Sequence, residues 1–148
     1  MRTELDKLLC EKYPRMMVNR HASMTETTMM RGFECGDGWY NIISRLMSQI
    51  QHHIDWKEKQ RKWAIEWNQE HPDQLRPVPE LVPQVTLDQV KEKFGTLRFY
   101  YSGGDDYVRG MVNMSESMSA VTCETCGNAG ELRDEGWYYV SCNEHARD

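Results

Sequence analysis

At 148 residues the chain has the length of one compact domain and can bury a core without disulfides. Its 18 Lys+Arg against 23 Asp+Glu leave a formal charge of −5, the wrong sign for a bulk nucleic-acid binder. No apolar run approaches the roughly 20 residues that cross a bilayer, and the mixed-charge start Met1-Arg2-Thr3-Glu4-Leu5-Asp6-Lys7 lacks a signal-peptide apolar core. A cytoplasmic location with no membrane contact is expected.

Residues 3–13 are expected to form a short helix, with Leu5, Leu8 and Leu9 at helical spacing and Pro14 ending it. Residues 16–36 are rich in Met and Thr and read as irregular. They lead into Gly36-Asp37-Gly38, where Asp37 suits the N-cap of a following helix. Trp39, Ile42, Ile43, Leu46, Met47, Ile50 and Ile54 then trace one helical stripe. Beyond it Trp56, Trp63 and Trp67 form a second stripe at a different angle, interleaved with Lys57, Lys59, Arg61 and Lys62. Unbroken from 38 to 69, this helix would be about 48 Å long, against a diameter near 40 Å for a domain of this size. It must bend near residue 55 or project. On a projecting arm Trp56, Trp63 and Trp67 become candidates for a partner-binding or homodimer surface; burial under the following loop is the alternative.

Residues 71–83 carry four of the five prolines and read as a stiff surface connection. Thr86 is expected to cap a short helix through Phe94, ended by Gly95, with a strand over 96–101. The turn Ser102-Gly103-Gly104-Asp105-Asp106 opens a last helix with Tyr107, Val108, Met111, Met114 and Met118 on its apolar side. Asp105 and Asp106 are read as helix-capping carboxylates near the positive dipole end and not as a cation site. His52 and His53 diverge by about 100° on a helix and cannot share a metal unaided. Lys93, Arg98 and Tyr100 are candidate contacts for one phosphate-bearing small ligand, with solvated charge as the ordinary alternative.

The five cysteines carry the most specific signal. An odd count argues against a disulfide framework. Cys123, Cys126, Cys142 and His145 form C-x2-C-x15-C-x2-H, in which each two-residue spacer lets one tight turn present both ligands to a single Zn2+. Four protein ligands saturate a tetrahedral ion, so the zinc is expected to be structural. Two short strands over 130–134 and 137–141 complete a zinc-ribbon-like module at 121–148, packed on a body at 1–120. Two arginines against six carboxylates give this module a balance of −4, so protein is a better partner for it than phosphate. Alternation places Tyr138, Val140 and Cys142 around the metal, and Trp137, Tyr139 and Ser141 on an aromatic face. Trp137 and Tyr139 join the partner-binding candidates; docking of that face onto the body is the alternative.

Gly32-Phe-Glu-Cys-Gly-Asp-Gly-Trp-Tyr40, Val90-Lys-Glu-Lys-Phe-Gly-Thr-Leu-Arg-Phe-Tyr-Tyr101 and the terminal Cys/His pattern together resemble a family of uncharacterised small proteins of bacteriophages, prophages and their bacterial hosts. The resemblance brings no established activity. It implies a bacterial cytoplasmic setting and, for a phage protein, binding to host machinery or a bacterial defence system. The expected fold is α+β: a mainly helical body with a short strand and a C-terminal zinc-ribbon-like hairpin. The expected role is that of a binding protein held in shape by zinc. An enzyme or sequestering protein for a nucleotide-like small molecule, acting through Lys93, Arg98 and Tyr100, and a nucleic-acid-binding accessory protein are the other classes. No Walker A loop, nucleophile elbow or dinucleotide fingerprint is present.

Overall fold

The computed structural model describes residues 1–23 and 25–147. Met24, in the expected irregular segment, and Asp148, at the end of the expected C-terminal module, lie outside the described residues. The architecture is α+β. Helices α1 (Thr3–Lys12), α2 (Tyr40–Glu70) and α3 (Asp106–Ser119) surround a mixed sheet of β1 (Phe33–Glu34), β2 (Thr86–Lys93) and β3 (Thr96–Ser102), and a hairpin of β4 (Glu131–Asp134) and β5 (Tyr138–Ser141) closes the chain. The sheet order is β1-β2-β3, with β1 parallel and β3 antiparallel to β2. Among the described residues no helix is long and apolar enough to cross a membrane.

The segment expected to be a short helix through Phe94 is instead strand β2, Thr86–Lys93, with Phe94 in the turn that follows. Leu87 and Val90 are three residues apart, a helical spacing that in a regular strand would put them on opposite faces. The register against β3 shifts between Leu87 and Gln89, so Asp88 forms a bulge and both apolar side chains turn inward, fully buried. The hydroxyls of Thr27 and Thr28 donate to the Asp88 carbonyl at 3.2 and 3.0 Å. Gly95 does not end a helix but closes a two-residue hairpin turn with Phe94, both at positive φ (52° and 83°), the pattern of a type I′ turn.

The Met-rich segment after α1 is irregular but contributes to the core, where Met16, Met17 and Met29 are buried against Leu9, Phe33 and Met47. Within α1 only one of the three leucines, Leu9, is fully buried; Leu8 is exposed. Asp6 is buried instead. Its carboxylate accepts from Arg20 Nε at 3.1 Å and from Phe33 N at 3.1 Å, so its desolvation is compensated by a cation and a backbone donor. A Cβ on Gly32 (φ 73°) would lie 2.2 Å from Asp6 Oδ2.

Helix α2 runs unbroken for 31 residues, about 47 Å at 1.5 Å per residue. Its start lacks the expected side-chain cap: Asp37 lies in a 3-10 turn, accepts from Arg2 N at 2.8 Å and pairs with the Arg2 guanidinium. Ile43, Leu46, Met47, Ile50 and Ile54 are buried, but after Ile54 only Ala64 is. The second half is an arm whose partner is the proline-rich segment, running back along it as an extended strap. Trp67 Nε1 donates to Gln74 O, Asn68 and Arg76 exchange two hydrogen bonds, Arg61 donates to Pro79 O, and Gln51 and Gln84 exchange two more. A proline-rich strand has few donors of its own, and the helix side chains satisfy its carbonyls.

Helix α3 begins at Asp105, whose Oδ1 accepts from Val108 N at 3.0 Å as an N-cap. Val108 and Val112 face the sheet, while Tyr107, Met114 and Met118 stay exposed. The helix also closes the edge of the sheet: Leu97 N donates to Ser119 Oγ and Phe99 N to Glu116 Oε1, both at 2.9 Å.

Candidate metal centre

Cys123, Cys126, Cys142 and His145 converge, with all four donor atoms within 4.8 Å of one another. Cys126 Sγ lies 3.8 Å from Cys142 Sγ, and His145 presents Nδ1 at 3.2 Å from Cys142 Sγ and 3.7 Å from Cys123 Sγ. The group is positioned to bind a metal ion. Cys123 is buried and Cys126 exposed, so the centre sits at the surface with its first ligand rooted inside.

Local backbone geometry builds the first knuckle. Gly127 N donates to Cys123 O at 2.9 Å and Cys123 N to Asn128 O at 2.8 Å, which requires the left-handed Gly127 (φ 81°) directly after the second cysteine. The β4–β5 hairpin returns the chain, and a 3-10 turn over Asn143–His145 brings His145 beside Cys142. Burial pushes the Cys123 thiol up, but backbone N–H donors from Cys142, Cys126 and Thr125 outweigh it and bring it down to about 6, favouring the thiolate that a metal needs. Cys35, buried with no such donors, is pushed up to about 12 and remains a thiol.

The two glycine-containing motifs both serve this centre. Gly36 N donates to Glu124 Oε1 at 2.9 Å, Gly38 N to Glu124 O at 2.8 Å, and Trp39 Nε1 to Thr122 O at 2.9 Å. A Cβ on Gly38 would stand 2.2 Å from Cys123 O, and one on Gly36 2.2 Å from Glu124 O. The Gly36–Trp39 loop is therefore a cradle for the first knuckle, with Trp39 fully buried behind it. From the other side the Phe94-Gly95 turn meets the hairpin, and a Cβ on Gly95 would lie 2.6 Å from Leu132 Cδ1. The paired glycines before Trp39 were the available sequence signal for this cradle. Their partner, 88 residues downstream, was not visible.

The strand before Cys142 is not divided into the two faces expected from alternation. Tyr139, Val140 and Ser141 are all buried, while Trp137 and Tyr138 are exposed. Tyr139 lies under the Arg147 guanidinium, 4.2 Å from its ring, and its hydroxyl donates to Glu135 and accepts from Arg147 N. Trp137 and Tyr139 thus do not share an open aromatic face, because Arg147 folds over Tyr139.

The other candidate residues fall in three places. Trp56 and Trp63 pack edge to face, 5.6 Å apart, and are 42 % and 56 % exposed. Trp67 is sandwiched between His71 and Arg76, each 3.7 Å away, and holds the strap. Lys93, Arg98 and Tyr100 share the outer face of the β2–β3 hairpin, with Lys91 directly across from Arg98. Arg98 donates to Thr96 Oγ1 and to Leu97 O, so part of its donor capacity is committed within its own strand.

A groove of about 740 Å³ runs between α2 and α3. Its floor is Ile42, Leu46 and Met111, its α3 wall Tyr107, Met114 and Met118. At one end His53 Nε2 and Asp105 Oδ2 are 2.8 Å apart, and the His53 ring stacks on Tyr107 at 4.4 Å. The exposed methionines of α3 are the signal for this groove, since an apolar stripe wider than its sheet contact leaves a surplus face. Fold and site together define an α+β protein with a Cys3His group poised for a metal. No family model, no curated protein and no solved structure matches the chain.

Proposed function

We propose that the chain is a small zinc-stabilised binding protein of the bacterial cytoplasm, acting on host or phage machinery by protein–protein contact. Zinc suits the donor set: with Zn–S bonds of about 2.3 Å a tetrahedral site has edges of about 3.8 Å, and the Cys126–Cys142 separation is 3.8 Å. Four protein donors leave no position for a reacting water, which supports a structural ion. The resemblance of Gly32–Tyr40 and Val90–Tyr101 to phage and prophage proteins supports the setting.

The observation that carries the protein-binding reading is the open apolar groove between α2 and α3. Exposed contiguous apolar surface marks interaction sites, and methionine side chains adapt to varied partners. Tyr107, Met114 and Met118 are 63 %, 63 % and 49 % exposed there. The test is affinity capture from bacterial lysate with zinc-loaded wild type and the groove variants Tyr107→Glu and Met118→Glu. A protein held by wild type and released by both variants at unchanged zinc content supports the reading. Equal capture by all three, or recovery of nucleic acid or metabolites in place of protein, overturns it.

A further inference from the structure

Taking from that reading only that the groove binds protein, we propose that its occupant is a second copy of this chain, with the two α2 helices antiparallel across a two-fold axis level with Ile54. Trp56 and Trp63 of each copy then enter the α2/α3 groove of the other.

The surface is self-complementary, as an isologous interface requires. Arg45 and Trp63 are eighteen residues apart, five turns of an α-helix, and lie on one line of α2; at about 100° per residue Gln49 and Trp56 fall within about 40° of that line. The α2 wall of the groove and the indole ridge are thus one continuous strip, hollow in its first half and raised in its second. The ridge is free because the strap covers a different face of the arm, through Arg61 and Asn68. A two-fold axis is the operation that lays each raised half against the other copy's hollow half.

Charge sets the register. Arg45 lines the groove and has neither an ion pair nor a side-chain hydrogen bond among the described residues. Setting Arg45 opposite Trp63 of the second copy also sets Ile42 opposite Glu66, Gln49 opposite Lys59 and His52 opposite Trp56. Arg45 then reaches an indole face and the Glu66 carboxylate together, and no two like charges stand opposite each other. In this register Trp63 lies beside Met114 and Met118, and Trp56 beside Tyr107. The exposed parts of Trp56, Trp63, Tyr107, Met114 and Met118 offer roughly 600 Å² per copy, given about 150–250 Å² for a whole aromatic side chain. With the flanking polar residues this reaches the scale of about 800 Å² per partner in specific interfaces.

Sedimentation equilibrium of the zinc-loaded chain is the test, with zinc content and circular dichroism checked for every variant. The expected result is a dimer that Trp63→Ala and Met114→Glu each weaken by at least about tenfold. Glu66→Arg should weaken it too, and adding Arg45→Glu to that variant should restore it. A monomer at all concentrations up to about 100 µM, a range that captures even weak dimers, overturns the proposal. So does a dimer indifferent to Trp63→Ala and Met114→Glu, or a charge exchange that restores nothing. A monomer that still captures another protein through the groove overturns self-pairing alone; a chain that neither pairs nor captures protein overturns the binding reading as well.

Discussion

The indole nitrogen of Trp39 donates to the carbonyl oxygen of Thr122 at 2.9 Å, linking the entrance of the long helix to the residue before the first cysteine of the Cys3His group. Because Trp39 is fully buried, this bond reports whether knuckle and body are docked. Trp39→Phe keeps most of the ring and leaves the Thr122 carbonyl without its donor. A loss of about 1–3 kcal/mol in urea denaturation is expected, together with faster metal release to a chelator.

Gly38 and Gly110 make a paired test of backbone approach. Gly38→Ala drives a methyl into the Cys123 carbonyl, so a loss above about 2 kcal/mol is expected by calorimetry, with reduced metal content. Gly110 lies inside α3, and a Cβ there meets nothing within 4 Å. Gly110→Ala should stabilise the chain by about 0.5–1 kcal/mol through helix propensity.

Removing the metal should undo the C-terminal module. Zinc binding at structural sites supplies on the order of 10–16 kcal/mol, far more than a hairpin of two four-residue strands holds by itself. Cys126→Ser is expected to lower zinc per chain and to open residues 121–147 to limited proteolysis. Full loading of a chain lacking all three cysteines at 123, 126 and 142 would exclude this site.

The tryptophans should divide sharply by environment. Trp63→Ala, studied at low protein concentration, is expected to change stability by no more than about 1 kcal/mol, as exposed positions do. Trp39→Ala should cost about 3–5 kcal/mol as a core truncation. Equal losses at the two positions would place Trp63 inside.

Asp105 gives a pH signature. Burial alone would raise its pKa, but hydrogen bonds from His53 and from the Val108 and Tyr107 N–H groups bring it below its ordinary 3.8. A lowered carboxylate contributes stability that is present above 3.8 and lost as pH falls through the lower folded value. Asp105→Ala should therefore cost about 1 kcal/mol near neutral pH, and the gap from wild type should close in strong acid, as read by thermal unfolding across pH.

What was legible in the sequence was local. Cys123, Cys126, Cys142 and His145 are recognisable because each pair needs only a tight turn to reach one ion, and Asp105 because a cap acts within one helical turn. What was not legible depended on distant partners or on one extra residue. Leu87 and Val90 carry a helical spacing only because the bulge at Asp88 turns both inward. Asp37 sits at a helix entrance yet binds Arg2, and Gly36 and Gly38 are small because Glu124 and Cys123 come to rest on them. Tyr139 alternates as an outward residue but is covered by Arg147.

The donation of Leu97 N and Phe99 N to Ser119 and Glu116 of α3 occupies backbone donors along the open side of β3. An open strand edge invites a foreign peptide to add as the next strand, the route to fibrillar growth. Here a newcomer would have to pry α3 away first. The opposite border of the sheet, β1, is two residues long and too short to template a ladder. At this sheet a partner would meet side chains of α3 before any free backbone, so recognition there would rest on shape and charge and not on backbone pairing.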